Sequence, residues 1–220
     1  MGNYSLDANL AKQGSGGIGG RIQECGKYLG MIKWAREWVY DTSTAIELCF
    51  IDQNDQEAKI KVFVTSNDPT KGASYGLKQL NAIMTCVKVR AINGVNGTVN
   101  TWDFDASAMT DQQATIFPEL AGKPIGFLLQ KEFYVYNNEL KFEMNVVAPF
   151  TLDSNQTAKE VLDAKGESIA VEKIELGLKD KYRGDAKNFV AKTEGSSEPV
   201  NSTTHPAQAP SLDNDDDIPF

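Results

Sequence analysis

Ala58-Lys59-Ile60-Lys61-Val62-Phe63-Val64-Thr65 alternates without a break. In an extended chain successive side chains point to opposite faces. Ala58, Ile60, Val62 and Val64 therefore share one face, and Lys59, Lys61, Phe63 and Thr65 share the other. The first set is fit to line a core. The second puts two ammonium groups and an aromatic ring on an open strand surface, which stability alone does not require. Such alternation belongs to a sheet with one covered face. Working back from it, the polar turn Gln53-Asn54-Asp55-Gln56 joins this strand to residues 44–52, a hairpin signal. Residues 26–40 form an earlier strand-like run, with Gly26 and Gly30 as bend or bulge points.

Working forward, the period changes. Over residues 72–88, Leu77, Leu80, Met84 and Val87 recur on one helical face. Residues 93–122 read as loop-rich, with Asn-Gly pairs at 93–94 and 96–97. Residues 124–136 and 139–150 form a second hairpin around Asn137-Asn138. In its second strand Leu140, Phe142, Met144 and Val146 oppose Lys141, Glu143 and Asn145. Three strands, a helix and two strands predict a mainly β fold, a five-stranded oligonucleotide-binding (OB) barrel with its helix between strands three and four. Another small barrel stays open, because strand order is not written in a sequence. The expected organisation is a flexible arm (1–20), the OB domain (21–150), an appended, partly helical segment (151–183) and a disordered acidic tail (184–220). Helix-prone stretches in the appended segment are 157–165 and 169–178.

The formal net charge of -8 is unevenly spread. Residues 193–220 hold Glu194, Glu198, Asp213, Asp215, Asp216 and Asp217 and no Lys or Arg, a net of -6. The other 192 residues carry 22 basic and 24 acidic groups, so the folded part is nearly neutral and can present a basic groove. Cys25, Cys49 and Cys86 are odd in number and lack paired spacing, which argues against disulfides or a zinc site. Their expected role is as small buried hydrophobes in a reducing compartment. No membrane-length apolar run or signal-peptide core is present, so the expected location is the cytoplasm.

Aromatic and basic residues interleave on two strands. Period two groups Trp34, Arg36, Trp38 and Tyr40 if no bulge intervenes, with Lys33 adjacent. Lys59, Lys61 and Phe63 form the second row. Lysines neutralise phosphates, and aromatic faces stack on unpaired bases at about 1–3 kcal/mol per base. Tryptophans are usually well buried, so Trp34 and Trp38 read equally as core or as platform. Weaker candidates are Lys71, Tyr75 and Lys78 around the helix start, Lys88 and Arg90 after it, Trp102 and Phe104 before strand four, and Lys131, Phe133 and Tyr134 within strand four.

Enzymatic readings find little support. The single histidine, His205, lies in the predicted tail, which excludes a Ser-His-Asp or Cys-His site in the folded body. Gly14-Ser15-Gly16-Gly17-Ile18-Gly19 fits a dinucleotide fingerprint formally, but a polar arm precedes it and a strand follows. No Walker sequence is present, and no cofactor is expected. Asp103 and Asp105, with Glu132, leave a Mg²⁺-dependent nuclease as an alternative.

The chain ends in Asp215-Asp216-Asp217-Ile218-Pro219-Phe220. It offers a partner a ring, a terminal carboxylate and flanking negative charge, with Pro219 limiting the entropy lost on docking. This tip resembles the C-terminal tip of bacterial single-stranded DNA-binding proteins. Gly26-Lys27-Tyr28-Leu29-Gly30-Met31-Ile32 with Ala35, Leu80-Asn81-Ala82-Ile83-Met84, Gly122-Lys123-Pro124-Ile125-Gly126-Phe127-Leu128-Leu129 and Asn145-Val146-Val147-Ala148-Pro149-Phe150 resemble phage-encoded single-stranded DNA-binding proteins with an OB fold. The body does not resemble the bacterial housekeeping family, so the tetramer of that family is not implied. Upstream of the tip, Ser211-Leu212-Asp213-Asn214 departs from the bacterial pattern. The resemblance implies sequence-independent coating of single-stranded DNA, with self-association on it left open. It also implies recruitment of replication and recombination proteins through the tip. An OB-type adaptor that binds only proteins is the other alternative. As a flexible coil the last 28 residues span roughly 30 Å, enough for the tip to reach a partner or the barrel's own groove.

Overall fold

The computed structural model describes residues 20–40, 43–65, 74–103, 106–166 and 168–195. Lys71, Phe104, Asp105, His205, the Gly14–Gly19 run and the tip from Asp215 to Phe220 lie outside the described residues.

A two-residue strand, β1 (Gly20–Arg21), precedes three long ones, β2 (Gly26–Tyr40), β3 (Ser43–Asp52) and β4 (Gln56–Phe63). β3 runs antiparallel to both β2 and β4, and β1 runs parallel to β4. The β3–β4 turn is held by the Asp52 carboxylate, which accepts from the backbone N–H of Asn54 and of Gln56 at 2.8 Å each. The alternation at 58–64 holds: Ala58, Ile60 and Val62 are buried, while Lys59, Lys61 and Phe63 are exposed. In β2 the register shifts between Ile32 and Trp34, so Lys33 is the extra residue of a bulge. Ile32 and Ala35 can then both reach the core although they stand three apart. Because the bulge precedes Trp34, the Trp34–Arg36–Trp38 set stays in phase.

Helix α1 (Tyr75–Cys86) starts at Ser74, whose hydroxyl accepts from Leu77 N–H. Leu80 and Ile83 enter the core. A Cβ on Gly76 would stand 2.1 Å from the Phe63 carbonyl oxygen, so only glycine lets the helix close against the end of β4.

Residues 93–122 are not mainly loop. β5 (Val95–Asp103) and β6 (Ala108–Ile116) form an antiparallel hairpin from Val95–Ile116 to Asp103–Ala108. Asn, Thr, Gln and Gly occupy both faces of these strands, so no hydrophobic alternation announces them. β7 (Pro124–Tyr136) and β8 (Glu139–Phe150) follow. Their turn residues Asn137 and Asn138 have φ of 51° and 61°, the left-handed pair that a tight hairpin of this hand requires.

β2 is the branch point of the sheet. Gly26 to Met31 pair with β7, whereas beyond the bulge Arg36 pairs with Ile116 of β6. The result is a mainly β molecule with a curled, half-barrel sheet that has nine strands among the described residues rather than five. β1, the β5–β6 hairpin and the short strand β9 (Lys181–Tyr182) are additions to the expected set. Among the described residues β4 and β8 share no ladder, and α1 packs against both. The main core contains Phe50 and Phe127, edge to face at 5.1 Å, with Ile32, Leu48, Ile60, Leu80 and Ile83.

Within 151–183, α2 (Ala158–Leu162) and α3 (Ala170–Glu175) form. Val171 of α3 covers Leu128 and Phe150 on the far face of β7 and β8. The expected disorder from residue 184 is corrected by α4 (Gly184–Gly195). Asp185 in its first turn accepts from Val135 N–H at 3.1 Å, and Ala186 is fully buried. A short helix docked through one small side chain carries too little hydrophobic signal to read from sequence. Among the described residues no helix is long and apolar enough to cross a membrane.

Glu160 ties the two small helices together. It completes the capping box with Thr157 and accepts from Ile169 N–H and Ala170 N–H at 3.0 Å each. Burial pushes its carboxyl up, but the bonds from Thr157, Ala170 and Ile169 outweigh that and hold it at about 2. A depressed carboxyl stabilises the fold above its unfolded value and loses that effect as the pH falls through the folded value. Glu160→Ala should cost about 2–3 kcal/mol at pH 7, since several bonds to a charged acceptor vanish. In urea titrations from pH 7 downwards, the gap between wild type and variant should narrow below about pH 4.5 and close near pH 2. A pH-independent gap would contradict the assignment.

Candidate nucleic-acid interface

The face of β2, β3 and β4 turned away from the core is ordered in rows by strand register. Trp34, Cys49 and Lys59 stand side by side, then Arg36, Glu47 and Lys61, then Trp38, Ala45 and Phe63. The middle row is the electrostatic centre. Arg36 Nε donates to Glu47 Oε2 at 2.6 Å, and Nη1 donates to Gln112 Oε1 of β6 at 3.0 Å. The guanidinium lies 5.4 Å from the Trp34 ring centre and 5.2 Å from that of Trp38. Both Arg36 and Glu47 are buried, and Gln112 and Thr101 of the β5–β6 hairpin bond to Arg36 and Lys59 of this face. Lys61 Nζ sits 3.8 Å from the Trp38 ring centre, a close cation–π contact. Lys59 Nζ donates to Thr101 Oγ1 of β5 at 2.5 Å.

These rows open into a cleft of about 1810 Å³. β4 and the start of α1 form one bank, and the β7–β8 hairpin with β9 forms the other. Of the residues predicted from sequence, Arg36, Trp38, Lys59, Lys61, Phe63, Tyr75, Trp102 and Tyr134 line it. Phe63 is 47% exposed, Tyr75 70% and Trp102 44%. Trp34 and Trp38 are both half-buried, but only Trp38 faces the cleft.

The other candidates sit elsewhere. Lys33, on the bulge, pairs with Glu57 at 2.7 Å and lies outside the cleft lining. Lys78 is exposed on α1, away from the lining. Lys131 is held over the Phe133 and Phe142 rings at 5.2 and 4.8 Å, and its side chain is only 13% exposed.

Sequence reasoning passed over Arg21, Lys141, Lys181 and Arg183, all of which line the cleft. Lys141 carried a signal, as it alternates with Leu140 and Phe142. Arg21 and Lys181 belong to strands too short to show a period, and Arg183 directly follows the second of them.

The lining is cationic in effect. Among the described residues seven Lys or Arg side chains face five carboxylates, an excess of two, and the ion pairs hold three of the seven cations as well as four of the five carboxylates. Glu47 is bonded to Arg36, Glu57 to Lys33, and Glu132 and Glu143 to Arg183. Among the described residues, no carboxylate pairs with Lys59 or Lys61. The cleft can therefore hold a polyanion with flat, apolar bases, gripping phosphates through ammonium groups and bases through rings.

Comparison with known proteins finds no family model that matches the chain and no curated protein similar to it.

Other chemistry is thinly represented. Burial pushes the thiols of Cys49 and Cys86 up to about 12, so neither ionises near neutral pH. Burial also raises the Cys25 thiol, which donates to Asp180 Oδ1 at 3.3 Å and accepts from Lys131 N–H at 3.2 Å. Among the described residues no cluster of three His, Cys, Asp or Glu could hold a metal ion.

Proposed function

We propose that this chain binds single-stranded DNA without sequence preference, coats and protects it in phage replication, recombination and repair, and recruits partner enzymes through its acidic tip. The observation that carries this reading is the row Lys59, Lys61 and Phe63 beside Trp38 and Trp102 in one cleft. Every base has a π-face, so stacking on such rings tolerates any sequence, while the lysines answer the backbone charge.

The strand path supports an OB-type barrel. β2 pairs with both β3 and β7, β7 pairs with β8, and α1 stands between the third and fourth strands of that set. OB folds present the face of their second and third strands to oligonucleotides, which here are β3 and β4. The β5–β6 hairpin is then an insertion before the fourth strand that brings Trp102 to the cleft. On this reading the protein works in the cytoplasm of the infected bacterium, and the carboxylates of the tail mimic phosphates and visit the cleft when DNA is absent.

One titration tests all of this. Quenching of tryptophan fluorescence by oligo(dT) should saturate for the full chain, with affinity falling as salt rises by a log–log slope of about -0.7 per phosphate contact. A chain ending at residue 210 should bind more tightly, most clearly at low salt, because the competing carboxylates are gone. No quenching would leave an adaptor that binds only proteins, and shortening of the labelled strand with Mg²⁺ would indicate a nuclease. Equal affinity with and without the tail would remove the competition.

A further inference from the structure

The far bank of the cleft carries a second cationic–aromatic surface, made by a segment that the OB plan does not include. β9 runs parallel to β7 with Lys181 beside Glu132 and Tyr182 beside Phe133. Adjacent strands keep neighbouring side chains on one face, so Lys181 and Arg183 share the face of Glu132 and Tyr134. Tyr182 turns the other way and stacks on Phe133, with ring centres 4.8 Å apart and planes 13° apart. That stack, together with the bond from Arg183 N–H to the Phe133 carbonyl at 2.9 Å, fixes β9 against the hairpin.

Arg183 is the centre of this surface. Its guanidinium lies over the Tyr134 ring at 5.2 Å and is bonded to the carboxylates of Glu132 and Glu143. Burial works against its charge, but the two carboxylates outweigh that and raise its pKa. The side chain remains 45% exposed. A guanidinium held through Nη2 by both carboxylates and backed by a ring keeps a flat outer side, on which an unpaired base can stack. Lys181 and Lys141 lie beside it, both exposed and both lining the same cleft as Lys61 and Phe63, with Lys141 paired to Glu139 at 2.8 Å on the exposed hairpin end, a pair that a phosphate can displace.

We propose that Tyr134, Lys141, Lys181 and Arg183 form a second subsite for single-stranded nucleic acid. A strand gripped by the Lys59–Lys61–Phe63 row continues onto this surface, and residues 181–183 are part of the binding site rather than an appendage. The inference rests on the reading of the cleft as a single-strand site. Arg183 supplies a stacking plane, and Lys181 and Lys141 supply phosphate contacts.

The test uses the full-length chain with Lys181→Glu, an exposed position whose reversal leaves the core untouched, and Arg183→Lys, which keeps the charge and removes the plane. Each is titrated with oligo(dT) of about 5 and about 16 nucleotides, near the two ends of the range that one OB fold covers. Lys181→Glu should lower affinity for the longer strand by roughly fivefold or more and make its salt slope shallower by about 0.7, with little change for the shorter strand. Arg183→Lys should weaken the longer strand's binding without changing its salt slope. Circular dichroism melts checks that both variants fold. If wild type binds both lengths and neither variant differs from it on the longer strand, the second subsite is refuted while the first stands. Equal loss on both lengths also refutes it, since the surface would then belong to the primary grip. If wild type binds neither length, the reading of the whole cleft fails and the inference with it.

Discussion

Lys59→Glu combined with Lys61→Glu should lower affinity for oligo(dT) by roughly 100-fold at low salt and lower the thermal unfolding transition only modestly, through loss of the Lys59–Thr101 hydrogen bond and the Lys61–Trp38 contact. Both side chains are exposed, and neither pairs with a carboxylate among the described residues, so reversal removes no ion pair. What it removes is the charge beside Trp38 and Phe63. Each lost charge-assisted phosphate contact is worth about 1.5–3 kcal/mol, so the pair accounts for about 3 kcal/mol or more. At about 1.4 kcal/mol per decade, that is two orders of magnitude. The salt slope should become shallower by about 1.4, two contacts at about 0.7 each. Lys78→Glu provides the contrast, since it changes the net charge on an exposed helix position outside the cleft. If Lys78→Glu weakened binding as much as a single reversal at Lys61, the effect would be one of overall charge, and the cleft would lose its claim.

Some of this was legible in the sequence for a physical reason, and some was hidden for one. The alternation at 58–64 determined both the buried and the exposed face of β4, because period two is imposed by backbone geometry. Leu77, Leu80, Met84 and Val87 marked the core-facing side of the helix, where Leu80 and Val87 are buried and Leu77 and Met84 pack partly, while the fully buried Ile83 went unread; the Ser74 cap and Val87 set its ends inside the expected 72–88. β5 and β6 were missed because their side chains are polar on both faces. Their place is fixed by tertiary contacts, Lys59 to Thr101 and Arg36 to Gln112, which join positions far apart in the chain. The same holds for the second bank of the cleft. Lys181 and Arg183 acquire meaning only when β9 lies beside β7, and a two-residue strand has no period to read. Trp34 and Trp38 could not be told apart by spacing, since they share a face. The cleft's position separates them.

Arg36→Met should destabilise the fold by about 3–5 kcal/mol, the larger of the two effects on stability argued for this chain. The reason lies in what it strands. Glu47 is 4% exposed at its side chain and has Arg36 as its bonded cation at 2.6 Å. Without the guanidinium, a carboxylate remains in a buried site, and the Gln112 side chain loses its donor. Taking a charge out of water is costly, and attraction to a partner offsets that cost only while the partner is present. The double change Arg36→Met with Glu47→Leu removes both charges and keeps the volume near its original value. It should recover most of the loss in urea-denaturation midpoints, because a buried ion pair is often no more stabilising than the apolar side chains that replace it. The two outcomes together discriminate. A double variant as unstable as the single one would mean that Arg36 acts by packing between Trp34 and Trp38, not by neutralising Glu47. A single variant within about 1 kcal/mol of wild type would mean that water reaches Glu47, and the burial described for the Arg36–Glu47 pair would be wrong.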